Sequence, residues 1–83
     1  MINNILIRVN SLTNTNIMSN NNIDNVENLT NNGINSTNTI KEITEGLTVN
    51  STMNNNIINT IKGLTINSTF ESNTINYIDN LSI

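Results

Sequence analysis

The sequence predicts a mainly β fold, a short parallel β-solenoid of about four 17-residue coils. Three observations predict it: a repeat of 17 to 18 residues, apolar residues at recurring positions within the repeat, and alternation of polar and apolar residues in part of each unit. Units this short bury their apolar side chains only by stacking on their neighbours.

Leu-Thr pairs mark the repeat. Their leucines are Leu12, Leu29, Leu47 and Leu64, and Leu81 begins a related Leu-Ser pair. Successive leucines are 17, 18, 17 and 17 residues apart. We therefore divide the chain into a partial N-terminal repeat or cap (1–11), four repeats (12–28, 29–46, 47–63 and 64–80) and a C-terminal stub (81–83).

Apolar residues step through the chain by five to seven positions, which is close to three steps per repeat. A coil with three short faces, each sending one side chain inward, is expected to show this spacing. The predicted inward series is Leu6, Leu12, Met18, Ile23, Leu29, Ile34, Ile40, Leu47, Met53, Ile58, Leu64, Phe70, Ile75 and Leu81. A second aliphatic set keeps the same register at Val9, Val26, Ile43, Ile61 and Ile78.

The face that begins each unit alternates with a period of two, which predicts a strand. Leu47, Val49 and Ser51 would point inward, as would Ser68 in the next unit. Stacked coils about 4.8 Å apart would then carry outward ladders. The first ladder is Thr13, Thr30, Thr48, Thr65 and Ser82, and the second is Thr15, Asn32, Asn50 and Asn67.

A second reading of the repeat gives a mixed solenoid of strands and short helices. Ile58, Ile61 and Leu64 recur at three-residue intervals, as one face of a helix would. Gly46 and Gly63, each just before a Leu-Thr pair, would mark corners or helix ends in either interpretation. Asn, Thr and Ile are weak helix formers, which disfavours this alternative. The low-complexity composition leaves a third alternative, a largely disordered chain.

Composition excludes several kinds of chemistry. The chain has no Cys and no His, so disulfides, the usual zinc sites and His general-base catalysis are impossible. Three bases and a net charge of -3 provide no basic patch, so we expect no nucleic-acid partner. Glu42 and Glu45, beside Lys41, are the closest pair of carboxylates that could act as acid and base, but nothing nearby would tune them. We expect no enzyme activity, no metal and no cofactor.

The sequence shows no secretory signal and no run of about 18 apolar residues, so we expect no membrane span. On this ground the cytoplasm is the default compartment, and the sequence does not specify the compartment further.

The sequence contains five Asn-x-Ser/Thr triplets, which are acceptor sequences for N-glycosylation in secreted proteins. The composition alone predicts about five, so their number does not indicate glycosylation.

With 23 Asn, 15 Ile, 12 Thr and 7 Ser, the chain resembles the Asn-rich low-complexity short repeat proteins of very AT-rich genomes. This resemblance of composition implies no function. The T-x-N-x-T stretches at Thr48–Thr52 and Thr65–Thr69 also resemble the outward threonine arrays of ice-binding β-solenoids and the stacked Asn ladders of adhesins. That resemblance implies a surface that binds ice or glycan.

Among functions, we expect a non-enzymatic structural or interaction protein that is prone to self-association. A solenoid of a few coils without capping units presents open strand edges, and open edges pair with other chains. We therefore expect the partner to be another copy of the chain, bound through these ends in a homo-oligomer. The alternatives are a low-complexity open reading frame with no selected activity and a solenoid that binds ice or glycan through its surface.

Overall fold

The computed structural model describes residues 1–83, which wind through nine strands and no helix. Each coil contributes one long strand, and each of the first four coils also contributes a short one. The long strands are β1 (Ile5–Asn14), β3 (Asn22–Asn31), β5 (Thr39–Val49), β7 (Ile57–Ile66) and β9 (Thr74–Ser82). The short strands are β2 (Ile17–Ser19), β4 (Ile34–Ser36), β6 (Thr52–Asn54) and β8 (Phe70–Glu71).

Both sets of strands stack in parallel, the long ones in the order β1-β3-β5-β7-β9 and the short ones in the order β2-β4-β6-β8. The predicted parallel β-solenoid is therefore confirmed, and it makes about five turns because β1 is a full long strand of the first coil. No helix of the kind that crosses a bilayer is present.

A β-bulge in β5 accommodates the 18-residue repeat. Paired residues in β3 and β5 are 17 apart at Val26 and Ile43, and 18 apart at Asn28 and Gly46. In the pairing of β5 with β7, partners are 18 residues apart at Ile43 and Ile61 and 17 apart at Gly46 and Gly63. The extra residue therefore lies between Ile43 and Gly46, and β5 has 11 residues where its neighbours β3 and β7 have 10.

The core consists mainly of three apolar side chains from each long strand, such as Ile23, Val26 and Leu29 in β3. These residues lie three apart, whereas a straight strand would alternate every second residue. Asp24 and Glu27 in β3 are exposed and have no pairing partner in β1. Strand β3 therefore bends at these outward-facing residues, which lie between the buried ones. The three-residue spacing is therefore that of a bent strand, and the helical alternative is wrong.

The short strands correct one position of the predicted inward series. Ile34 is exposed, and Asn35 is fully buried in its place. In a three-residue strand only the middle side chain faces the core, and Asn35 is the middle residue of β4, paired with Met18 and Met53. Strand register, not hydropathy, thus decides which residue points inward.

The predicted alternation also ends earlier than expected. Val49 is buried and ends β5, but Ser51 is only half-buried and Ser68 is exposed, because the chain has already entered a corner. Gly46 and Gly63 lie inside long strands and not at corners or helix ends, and neither has a positive φ.

Each coil makes one sharp turn through a left-handed residue before the next long strand. These residues have φ between 55° and 60° and are Asn3, Asn20, Thr37, Asn55 and Ser72. Asn is among the few non-glycine residues that adopt this conformation readily. One use of the abundant asparagines is therefore to turn the coils.

Candidate functional site

The residues predicted for the first outward ladder form one column along the solenoid. Thr13, Thr30, Thr48, Thr65 and Ser82 are register partners in successive long strands. Thr13 and Thr65 are exposed, and Thr30 and Thr48 are half-buried. The structure thus brings these hydroxyls together on one face.

The predicted asparagine positions lie beside that column, and we call Asn32, Asn50 and Asn67 the outer asparagine ladder. Asn50 Nδ2 donates to Asn32 Oδ1 at 2.9 Å, and Asn67 Nδ2 donates to Asn50 Oδ1 at 2.9 Å. All three side chains are exposed. Water competes for these amides, so the outer asparagine ladder is a surface feature with little expected effect on stability.

A second series of asparagines, which the sequence reasoning missed, runs through the interior. We call Asn21, Asn38, Asn56 and Asn73 the inner asparagine ladder. Each side-chain Oδ1 accepts the main-chain N–H of the equivalent asparagine one coil earlier, beginning with Asn4. From Asn4 onward these N···Oδ1 distances are 2.7, 2.9, 2.8 and 3.0 Å. The first three members of the inner ladder are no more than 1% exposed.

The amide nitrogens of the inner ladder complete each rung. Asn38 Nδ2 donates to the Met18 carbonyl at 2.9 Å, and Asn73 Nδ2 donates to the Met53 carbonyl at 3.0 Å. A carboxylate lacks the donor, and a hydroxyl cannot reach two backbone groups that lie in different directions. A buried backbone group left without a partner costs about 1–3 kcal/mol, so these positions require an amide.

One signal in the sequence could have revealed the inner ladder. Asn occupies this position in every coil, at the repeat spacing, and directly follows the residue with positive φ. In a chain with 23 asparagines the pattern does not stand out, because neighbouring positions are often Asn as well.

A shorter buried amide column lies at the last residues of β1 and β3, whereas the inner ladder lies just before the first residues of the long strands. Asn14 Nδ2 donates to Asn31 Oδ1 at 2.8 Å, and Asn31 Nδ2 donates to the Thr52 carbonyl at 2.8 Å. The register partners in the next two coils are Val49 and Ile66. The interior therefore changes from amide to aliphatic along the solenoid at this position.

Charged groups are spread over the outer surface. The ion pair between Lys41 Nζ and Asp24 Oδ1 spans 3.7 Å, and both side chains are more than half exposed. In the last coil, hydrogen bonding to the Asp79 carboxylate, and next its negative charge, raise the pKa of the Tyr77 phenol. No three carboxylates come together in a group that could hold a metal ion.

The two outer long strands leave the ends of the solenoid uncovered. We call the outer side of β1, with Asn4, the first edge, and the outer side of β9, with Asn73, the last edge. Neither strand has a partner on its outer side. Their inward side chains are half-buried or exposed, whereas the equivalent residues of the three middle coils are at most 2% exposed. These end residues are Leu6, Val9 and Leu12 in β1 and Ile75, Ile78 and Leu81 in β9.

The inner asparagine ladder is also open at both ends. The Asn73 main-chain N–H donates to no group, although the equivalent N–H of every earlier coil does. At the other end Asn4 Oδ1 accepts no hydrogen bond, and Asn4 Nδ2 donates only to the Ile2 carbonyl at 3.1 Å. One edge therefore offers a free donor and the other a free acceptor.

Comparison with protein-family models, with curated proteins and with solved structures yields no match. The function must therefore be argued from the geometry of these surfaces.

Proposed function

We propose that this chain is a non-enzymatic structural protein whose solenoids associate with copies of themselves through their end coils. The observation that supports the proposal is the pair of unpaired outer strands, β1 and β9, at opposite ends of one parallel sheet. A strand at a sheet edge presents a row of unpaired N–H and C=O groups, which is a template for another chain.

The apolar groups at the edges favour the same association. Three inward side chains at each edge are only partly covered, among them Leu81, which is 52% exposed. Covering a large aliphatic side chain completely contributes about 1.5–3 kcal/mol, and partial covering contributes less. Each edge offers only three such side chains, so we expect association that depends on protein concentration.

Sedimentation velocity over a wide concentration range tests the proposal. We expect the sedimentation coefficient to rise with concentration while the far-UV circular dichroism spectrum stays that of a β protein. A strict monomer at high concentration would contradict the proposal.

A pair of lysine variants in β9 separates edge contact from a change in net charge. Ile78 points inward at the last edge, so Ile78→Lys places a charge where a second copy would stack, while the long side chain can still reach water in the monomer. Asn80→Lys adds the same charge on the same strand at an exposed position that makes no side-chain hydrogen bond. We expect Ile78→Lys to abolish the concentration dependence and Asn80→Lys to retain it.

The aligned hydroxyls favour a second candidate function, binding of ice or glycan by the outward column of Thr13, Thr30, Thr48 and Thr65. Its support is the register that puts these threonines in line beside the outer asparagine ladder. The tests are an ice-growth assay and a glycan array, both with folded protein. If the protein neither slows ice growth nor binds any glycan, this candidate function is wrong.

A further inference from the structure

We infer that copies join head to tail by continuing the inner asparagine ladder, with the Asn73 main-chain N–H of one copy donating to Asn4 Oδ1 of the next. This inference rests on the proposed self-association and specifies its register and direction. Its first basis is that the two groups are the free ends of one repeating hydrogen-bond pattern.

The direction follows from the polarity of the rungs. In every rung the main-chain N–H of one coil donates to the Oδ1 of the next coil along the chain. If two last edges met, the Asn73 main-chain N–H of one copy would face the same N–H of the other. If two first edges met, Asn4 Oδ1 would face Asn4 Oδ1. Only the contact between a last edge and a first edge pairs a donor with an acceptor.

The side-chain nitrogen of Asn4 supplies a second bond in the same register. In the four rungs from Asn21 to Asn73, Nδ2 donates to a main-chain carbonyl of the preceding coil, which belongs in turn to Met1, Met18, Asn35 and Met53. The next carbonyl in this series belongs to Phe70, the register partner of Met53. Asn4 Nδ2 would exchange its exposed bond to Ile2 for the Phe70 carbonyl of the preceding copy.

Apolar and charged residues agree with this register. The stack places Ile75 against Leu6, Ile78 against Val9 and Leu81 against Leu12. Inside the chain, aliphatic residues at the same positions pack against each other between neighbouring coils.

On the outer surface, Arg8, Asn25, Glu42, Thr60 and Tyr77 are register partners in successive long strands. In the stack, Arg8 of the next copy therefore lies against Tyr77, and Asp79 is two residues further along the same strand as Tyr77. The base of the first coil thus meets an aromatic ring and an acid, and no like charges meet.

The contact uses two different surfaces of the chain, so it does not close on itself as a twofold dimer does. A second copy leaves the same first and last edges free at the ends of the pair. The expected product is an open filament with a direction, in which each copy adds five long strands to one continuous parallel sheet.

Asn4→Ala tests the ladder contact with little disturbance of the monomer, because the Asn4 side chain makes only the exposed bond to Ile2. Asn10→Ala is the matched control, an exposed asparagine in β1 without a side-chain hydrogen bond. We expect Asn4→Ala to raise the dissociation constant at least about tenfold, which is 1.4 kcal/mol, with an unchanged melting temperature at low concentration. We expect Asn10→Ala to leave the dissociation constant unchanged.

These variants distinguish failure of the inference from failure of the proposed function. If the wild-type chain associates and Asn4→Ala associates equally well, the ladder register is wrong and self-association stands. If the wild-type chain does not associate at all, both are wrong.

A mixing experiment tests the direction of growth. Val9→Lys blocks the first edge and Ile78→Lys blocks the last edge, each by an inward-pointing charge. We expect each variant alone to be monomeric, and an equimolar mixture to form heterodimers that grow no further, as measured by sedimentation velocity. A symmetric contact between like edges would instead let one of the two variants form dimers alone, and that result would overturn the head-to-tail inference.

Discussion

Replacement of Asn38 by Ala removes a complete rung from the middle of the inner asparagine ladder. Asn38 Oδ1 accepts the Asn21 main-chain N–H at 2.9 Å, and Asn38 Nδ2 lies 2.9 Å from the Met18 carbonyl and 2.7 Å from Asn35 Oδ1. Truncation leaves at least these three buried polar groups short of a partner. At about 1 kcal/mol each, the lower end for such groups, Asn38→Ala should lower the free energy of unfolding by about 3 kcal/mol.

Asn50→Ala is the matched control, since Asn50 also sits between two asparagines of a ladder. It donates to Asn32 and accepts from Asn67, both at 2.9 Å, but its side chain is exposed. Water replaces both partners after truncation, so the free energy of unfolding should change by no more than about 0.5 kcal/mol.

The comparison is made by urea unfolding followed by far-UV circular dichroism, at a concentration where the chain is monomeric. Asn38→Ala should shift the midpoint strongly with an unchanged slope, which indicates a change in stability alone. A loss below about 1 kcal/mol for Asn38→Ala, or equal losses for both variants, would refute the argument that burial makes the inner ladder the stabilising one.

Three further predictions are checked by the same unfolding measurement. Thr37 has φ 60°, which a β-branched residue adopts with strain, so Thr37→Asn should stabilise the chain by about 0.5–1 kcal/mol; a destabilised variant would contradict this. Gly33→Ala should destabilise by more than about 2 kcal/mol, since the new Cβ would clash with the Asn16 carbonyl oxygen. At Gly46 the nearest atoms are 3.7 Å away, so Gly46→Ala should be neutral or stabilising by up to about 1 kcal/mol, and similar effects at the two glycines would count against the backbone clash. Ile34→Thr should change stability by less than about 0.5 kcal/mol because Ile34 is exposed, whereas Met53→Ala in the core should cost about 2–5 kcal/mol; a large loss for Ile34→Thr would mean that the register of the short strands is different.

The parallel solenoid could be predicted because the biased composition does not hide the spacing of the few leucines. Leu12, Leu29, Leu47 and Leu64 keep the repeat visible, and in the structure they are register partners. The 18-residue unit did not disrupt the prediction, because one bulge in β5 absorbs the extra residue and restores the register.

The direction of individual side chains was harder to predict. Hydropathy selected Ile34 for the core, but the middle position of β4 belongs to Asn35. The rule that apolar residues are buried fails when a polar residue can satisfy every hydrogen bond inside. Asn35 meets that condition in part through Asn38 Nδ2, at 2.7 Å, so its burial depends on a partner that sequence spacing alone does not reveal.

The asparagines therefore have at least three separable roles, at left-handed corners, in the inner ladder and on the outer surface. The inner ladder connects the fold with the proposed function, because each rung is completed only by an adjacent coil. A chain stabilised in this way leaves an unsatisfied rung at each end, here at Asn4 and Asn73. Water reaches these end groups in the monomer, because Asn4 is exposed and Asn73 is half-buried. In the proposed association a second copy replaces that water with the same hydrogen bonds that hold the coils in register inside the molecule.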